Sequence, residues 1–121
     1  MSNWTKMLGK SGEDFAAEFL AEHGYKILAR NFRVHATAEI DIIAQIDETI
    51  VFVEVKTRST NRFGAPAESV TIKKQQKIFI AAEIFLNQND LENRSCRFDI
   101  IEVFAKRNGF SANHIVDAFA L

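Results

Sequence analysis

The sequence predicts an α/β domain in the order helix, three strands, helix, two strands. Three observations point to it. Two stretches carry apolar residues at helical spacing. Five others are rich in β-branched and aromatic types. Turn formers punctuate them at short intervals. At 121 residues, 47% apolar and 26% charged, the chain has the composition of one globular domain, spanning 1–121. That length buries roughly two-thirds of the surface of the unfolded chain, enough for one core.

The first helix is expected over 11–23. Ser11 is placed to cap it, with Asp14 three residues later, and Gly24 ends it. Ala16, Phe19 and Leu20 form its buried stripe, with Glu13 on the flank. Gly12, one turn before Ala16, lets the first turn approach a neighbour closely. Strands follow at 25–34, 39–46 and 50–57. Asp47 and Glu48 form the turn between the last two. Ile40, Ile42, Val51, Val53 and Val55 are expected on one face, and Ile43 and Phe52 on the other, so both faces are covered. A polar loop over 57–68 holds Gly64 and the only proline, Pro66. The second helix spans 71–87, with Ile78, Ala81, Ala82 and Phe85 at helical spacing. Strands at 98–105 and 114–119 flank the turn signal Asn108-Gly109. The eleven phenylalanines read mostly as core, and Cys96 reads as a buried thiol.

Composition excludes several function classes. No apolar run approaches the roughly 18 residues of a membrane span, and the first twelve residues lack a signal-peptide core. The lone Cys96 precludes an internal disulfide, makes a poor zinc set with three dispersed histidines, and fits a reducing, cytoplasmic location. With 15 basic and 16 acidic residues the chain is not a uniformly basic nucleic-acid coat. Basic residues are nevertheless grouped. Lys56, Arg58, Arg62, Lys73, Lys74 and Lys77 lie in one stretch against the single acid Glu68.

The hairpin carries the chemistry. If Asp47 and Glu48 are its two loop residues, facing positions sum to 95. Asp41 then faces Glu54, and Glu39 faces Lys56, all on one face. Opposed Cβ atoms lie about 4.5–5.5 Å apart, where two carboxylates repel. A shared proton or a cation offsets this. A hard ion such as Mg²⁺ takes oxygen ligands at about 2.0–2.1 Å and keeps several waters, and the Val55 carbonyl offers a third oxygen. Lys56 returns to the same face, where it can orient or deprotonate a water or stabilise charge on a phosphate. This set suits phosphodiester hydrolysis. An acidic strand face neutralised by Lys56 explains the same pattern without a ligand, and a loop of another length would shift the register.

Taken with Gly12-Glu13, Ala16-Ala17, Gly24-Tyr25, Ala29-Arg30-Asn31, Glu39-Ile40-Asp41-Ile42-Ile43-Ala44, Val51-Phe52-Val53-Glu54-Val55-Lys56-Thr57-Arg58, Phe63-Gly64, Pro66, Lys74-Gln75 and Cys96-Arg97-Phe98-Asp99, the sequence resembles a bacterial family. It is that of the uncharacterised YraN-like proteins (UPF0102). They are placed in the restriction-endonuclease-like PD-(D/E)xK superfamily, with kinship to Holliday-junction resolvases. The resemblance implies a restriction-endonuclease-like core, a mixed central β-sheet flanked by helices in the order α-β-β-β-α-β-β. It implies Asp41 and Glu54 as metal ligands, Lys56 as the catalytic lysine, Glu13 as a helical glutamate assisting the metal, and Gln75 at a polar active-site position. Ala38 stands where the family commonly has glycine before Glu-Ile-Asp.

The resulting expectation is a Mg²⁺-dependent endonuclease, with Mn²⁺ as a substitute ion, acting on DNA, branched or damaged DNA included. Arg58, Arg62, Lys73, Lys74 and Gln75 are its expected nucleic-acid contacts. A two-fold homodimer suits cleavage of two strands. The alternatives are a non-catalytic nucleic-acid-binding module on the same fold and an interaction protein with a solvated acidic face.

Overall fold

A computed structural model describes residues 3–35, 38–58 and 70–120, with side chains from residue 11 onward. The elements run α1 (Asn3–Glu22), β1 (Lys26–Val34), β2 (Ala38–Ile46), β3 (Thr49–Arg58), α2 (Ile72–Gln88), β4 (Ser95–Lys106) and β5 (Gly109–Phe119). Their order is the expected one. The strands form one mixed sheet in the order β1-β2-β3-β4-β5. All neighbours are antiparallel except β3 and β4, which run parallel because α2 carries the chain across between them.

The helices cover opposite faces. Ala16, Ala17 and Leu20 of α1 pack on Ile42, Ala44, Val51, Val53, Ile101 and Val103. Ile78, Ala81, Ala82 and Phe85 of α2 pack on Ile40, Ile43, Ile50, Phe52, Phe98 and Ile100. The phenylalanines concentrate on the α2 side. Phe52, Phe79, Phe85, Phe98 and Phe119 make stacked and edge contacts with centroids 4.7–6.3 Å apart, each worth about 0.5–1.5 kcal/mol beyond its buried area. Among the described residues no helix is long and apolar enough to cross a membrane.

Several local expectations are corrected. Helix α1 begins at Asn3, so Ser11 is an exposed interior position rather than a cap. Ser in a helix interior costs only a few tenths of a kcal/mol, which the continuing helix absorbs. Asp14 takes Arg30 at 2.7 Å instead of a cap role. Gly12 does approach a neighbour: a Cβ there would collide with the Thr57 side chain. Strands β4 and β5 are longer than expected and pair from Lys106–Gly109 inward, so the two turn residues are Arg107 and Asn108, one position before the expected Asn108-Gly109, and Gly109, at φ 124°, opens β5. Cys96 is exposed, since β4 starts early and its first two residues lie outside the packed layers.

The β2–β3 register matches the expected sum from Ile46–Thr49 to Ile42–Val53. Ile40, however, does not share the face of Ile42. It packs on the α2 side and Ile42 on the α1 side. Alternation slips at Asp41. Opposite it in β1, Asn31 sits at φ 54° between the pairs Arg30–Ile42 and Phe32–Ile40. Arg30 there turns to α1 and Phe32 to α2. The slip places Asp41 where β2 leaves β3.

Candidate functional site at the splayed end of the hairpin

Cross-strand pairing of β2 with β3 stops at Ile42–Val53, one step before Asp41 and Glu54. The Val55 N–H donates to Asp41 Oδ2 at 2.8 Å, so a carboxylate serves where a ladder carbonyl would otherwise stand. Asp41 and Glu54 line one small cavity of about 120 Å³ with Ala38, Glu39, Lys74, Lys77 and Ile78. The splay makes this cavity. Two strands that part company leave a polar notch that α2 roofs with its first two turns.

The electrostatics of the notch are unbalanced around Asp41. Burial, and then the negative charge of Glu54, push its carboxyl up to about 7; Glu13 and Glu39 add smaller contributions in the same direction. The Val55 N–H opposes them, and the Lys56 and Lys74 ammoniums feel the Asp41 charge without bringing its carboxyl back down. Glu54 is 7% exposed and better provided for. Lys74 Nζ donates to its Oε1 at 2.8 Å, and Lys56 Nζ lies 3.8 Å from the same oxygen. Burial, and then the charge of Lys74, hold the Lys56 ammonium below its ordinary range. Lys74 moves the other way: burial, the largest single cause, would lower it, but the hydrogen bond and charge of Glu54, with smaller contributions from Lys56 and Asp41, together outweigh that. Asp41, Glu54, Lys56 and Lys74 therefore form one cluster of two carboxylates and two ammoniums.

Helix α2 presents Lys74 because Thr71 caps it. Thr71 Oγ1 accepts from the Lys74 N–H at 3.1 Å, which fixes the first turn. Lys77, one turn on, faces the same cavity. Ala38 has no positive φ and is an ordinary first residue of β2, so the conformational freedom of glycine is not needed there.

These observations meet the comparison with known proteins. The model of the uncharacterised protein family UPF0102 matches residues 12–103. The chain belongs to that family. A UPF0102 protein of Caldicellulosiruptor bescii is 49% identical over 117 residues, covering 94% of this chain and 98% of its own. One of Clostridium perfringens is 46% identical over 121 residues, and one of Desulforapulum autotrophicum 43% over 119, each covering 98% of both chains. All seven charged residues in or beside the notch, from Glu13 to Lys77, lie within the part that matches UPF0102.

The other predicted site residues are placed unevenly. Glu13 comes from α1, on the face opposite α2. It pairs with Arg30 at 3.3 Å, and its charge still reaches Asp41. Glu39 turns to Arg33 of β1 at 2.7 Å, not to Lys56. Val55 supplies its N–H to Asp41. Arg58 is engaged by the buried Glu102 at 2.5 Å. Lys73 is exposed and does not line the cavity. Gln75 Nε2 donates to the Val70 carbonyl at 3.0 Å and so braces the entry to α2. Arg62 lies outside the described residues.

Two residues escaped the sequence reading. Lys77 had a signal, its spacing of three from Lys74 in the basic stretch. Glu102 had another, as the one acid in the apolar run Ile100-Ile101-Glu102-Val103. Among the described residues no three His, Cys, Asp or Glu side chains converge as a ready-made metal cage.

Proposed function

We propose that the chain is a divalent-metal-dependent nuclease of the restriction-endonuclease-like kind, hydrolysing phosphodiester bonds in DNA at the splayed end of the β2–β3 hairpin. One observation carries the reading. Asp41 and Glu54, both largely buried, converge at a notch where, among the described residues, both lysines pair with Glu54 and Asp41 makes no direct ion pair.

The residues fit a hard divalent ion. The donors are all oxygen, and two carboxylates with the Val55 carbonyl leave room for the waters that Mg²⁺ retains. When bound, that ion would polarise a phosphate and acidify a water. Asp41 and Glu54 would hold it, with Glu13 acting from the α1 side. Lys56, its ammonium already disfavoured by burial and by Lys74, is suited to take a proton from the attacking water or to steady charge on the phosphate. Lys74 and Lys77, one turn apart at the mouth, face where neighbouring phosphates would lie.

The test is cleavage of linear, branched and single-stranded DNA with Mg²⁺ or Mn²⁺. Asp41→Ala and Lys56→Met should each cost at least about a hundredfold in rate. Cleavage that persists unchanged in Asp41→Ala overturns the reading. DNA binding without any binding of Mn²⁺ would favour the non-catalytic module instead.

A further inference from the structure

We propose that Lys74 is a built-in counter-ion of Glu54 that an incoming divalent cation must displace, so that the helix α2 lysine regulates metal entry. The inference rests on the nuclease reading above and adds a gate to it.

The geometry is that of an occupied cation position. Lys74 Nζ lies 2.8 Å from Glu54 Oε1, closer than Lys56 at 3.8 Å. The carboxylate is 7% exposed, whereas the Lys74 side chain is 41% exposed. The ammonium thus stands between a buried anion and solvent. Its backbone is pinned by Thr71, while its flexible four-carbon stem is exposed enough to have solvent to turn into.

Charge counting explains why it would leave. With both carboxylates ionised, Asp41, Glu54, Lys56 and Lys74 sum to zero. A divalent ion beside Glu54 adds two positive charges at contact distance from an ammonium, an arrangement a partly buried notch does not tolerate. Expelling Lys74 relieves it, and Glu54 is not orphaned, because Lys56 and the ion remain. Lys77 lines the same cavity, but among the described residues the ammoniums paired with Glu54 are those of Lys74 and Lys56.

The experiment is calorimetric titration of Mn²⁺ into wild type, Lys74→Met and Lys74→Arg, without nucleic acid. Lys74→Met should bind about three- to tenfold more tightly, since a partly exposed ion pair no longer competes. Lys74→Arg, which keeps the charge, should stay near wild type. Equal or weaker binding by Lys74→Met overturns the gate and leaves the metal site standing. Absence of Mn²⁺ binding in all three overturns both. A second measurement needs no variant. In the wild-type protein, Mg²⁺ should raise the reductive-methylation rate of Lys74 severalfold. An unchanged rate at saturating Mg²⁺ also overturns the gate.

Discussion

Asp99 and Asp41 are both carboxylates taken out of water in the same small sheet, and they have opposite fates. Asp99 is 0% exposed. It accepts from Arg97 Nε and Nη2, from His114 Nε2 at 2.7 Å and from the Asp117 N–H at 2.9 Å. Burial alone would raise its pKa, but these bonds outweigh burial and hold it below the ordinary carboxylate range. Tyr25 completes the cluster by accepting from Arg97 at 2.7 Å. Asp41 has one backbone N–H and three acidic neighbours, and it is pushed up to about 7. Burial is not what distinguishes a structural acid from a functional one. The distinction lies in whether the fold brings the opposite charge into direct contact with the carboxylate.

The largest expected effect tests the finished side of that comparison. Asp99→Ala leaves Arg97 without its carboxylate and the Asp117 N–H without its acceptor, in the interior between β4 and β5. It should cost about 3–5 kcal/mol in urea unfolding. A loss under about 1 kcal/mol would mean that these bonds to Asp99 do not hold β4 and β5 together.

Asp41→Asn should do the reverse in metal-free protein. The raised pKa means that between about 4 and 7 the folded state holds a proton the unfolded state has released. Stability therefore falls as pH rises through that window. The amide keeps an acceptor for the Val55 N–H and has no charge to lose. Asp41→Asn should be more stable than wild type at pH 8 by roughly 1–3 kcal/mol, with the gap closing towards pH 4. Saturating Mg²⁺ should reverse the order by stabilising wild type alone. Urea unfolding at pH 5 and 8, with and without Mg²⁺, measures all of this. Parallel pH profiles for the two proteins would contradict the raised pKa.

Sequence and structure agree where local chemistry decides the outcome. Asp47 and Glu48 make the turn, and from them the register follows for five pairs. The helical spacing of Ile78, Ala81, Ala82 and Phe85 is their buried face. Gly12 does mark a close approach, to Thr57. Where long-range packing decides, the pattern was silent. Nothing in Glu39-Ile40-Asp41-Ile42 announces that alternation slips at Asp41, because that slip depends on Asn31 in a different strand. Asp41 and Glu54 are not the facing pair expected from the turn, since the ladder ends at Ile42–Val53; they meet only as lining of the same notch. The partners of Glu39 and Arg58 were missed for the same cause, since Arg33 and Glu102 lie across strand pairs whose register the sequence does not print.

The smallest effect resolves what keeps Asp41 unsatisfied. Glu54 acts on it more strongly than Glu13, because Glu54 shares the notch while Glu13 reaches it from the α1 side and is partly neutralised by Arg30. Glu54→Gln should lower the Asp41 pKa from about 7 by more than Glu13→Gln does. In the first variant Lys74 is also released, and an ammonium turning towards Asp41 would deepen the drop. Neither variant should return Asp41 to the ordinary carboxylate value, because burial is the largest cause and neither removes it. Carbon-13 titration of the Asp41 carboxyl by NMR reads both shifts. A larger drop in Glu13→Gln would place the dominant charge on the wrong helix. A return to the ordinary value in either would show that charge, not burial, sets the site, and the notch would then need no ion to be stable.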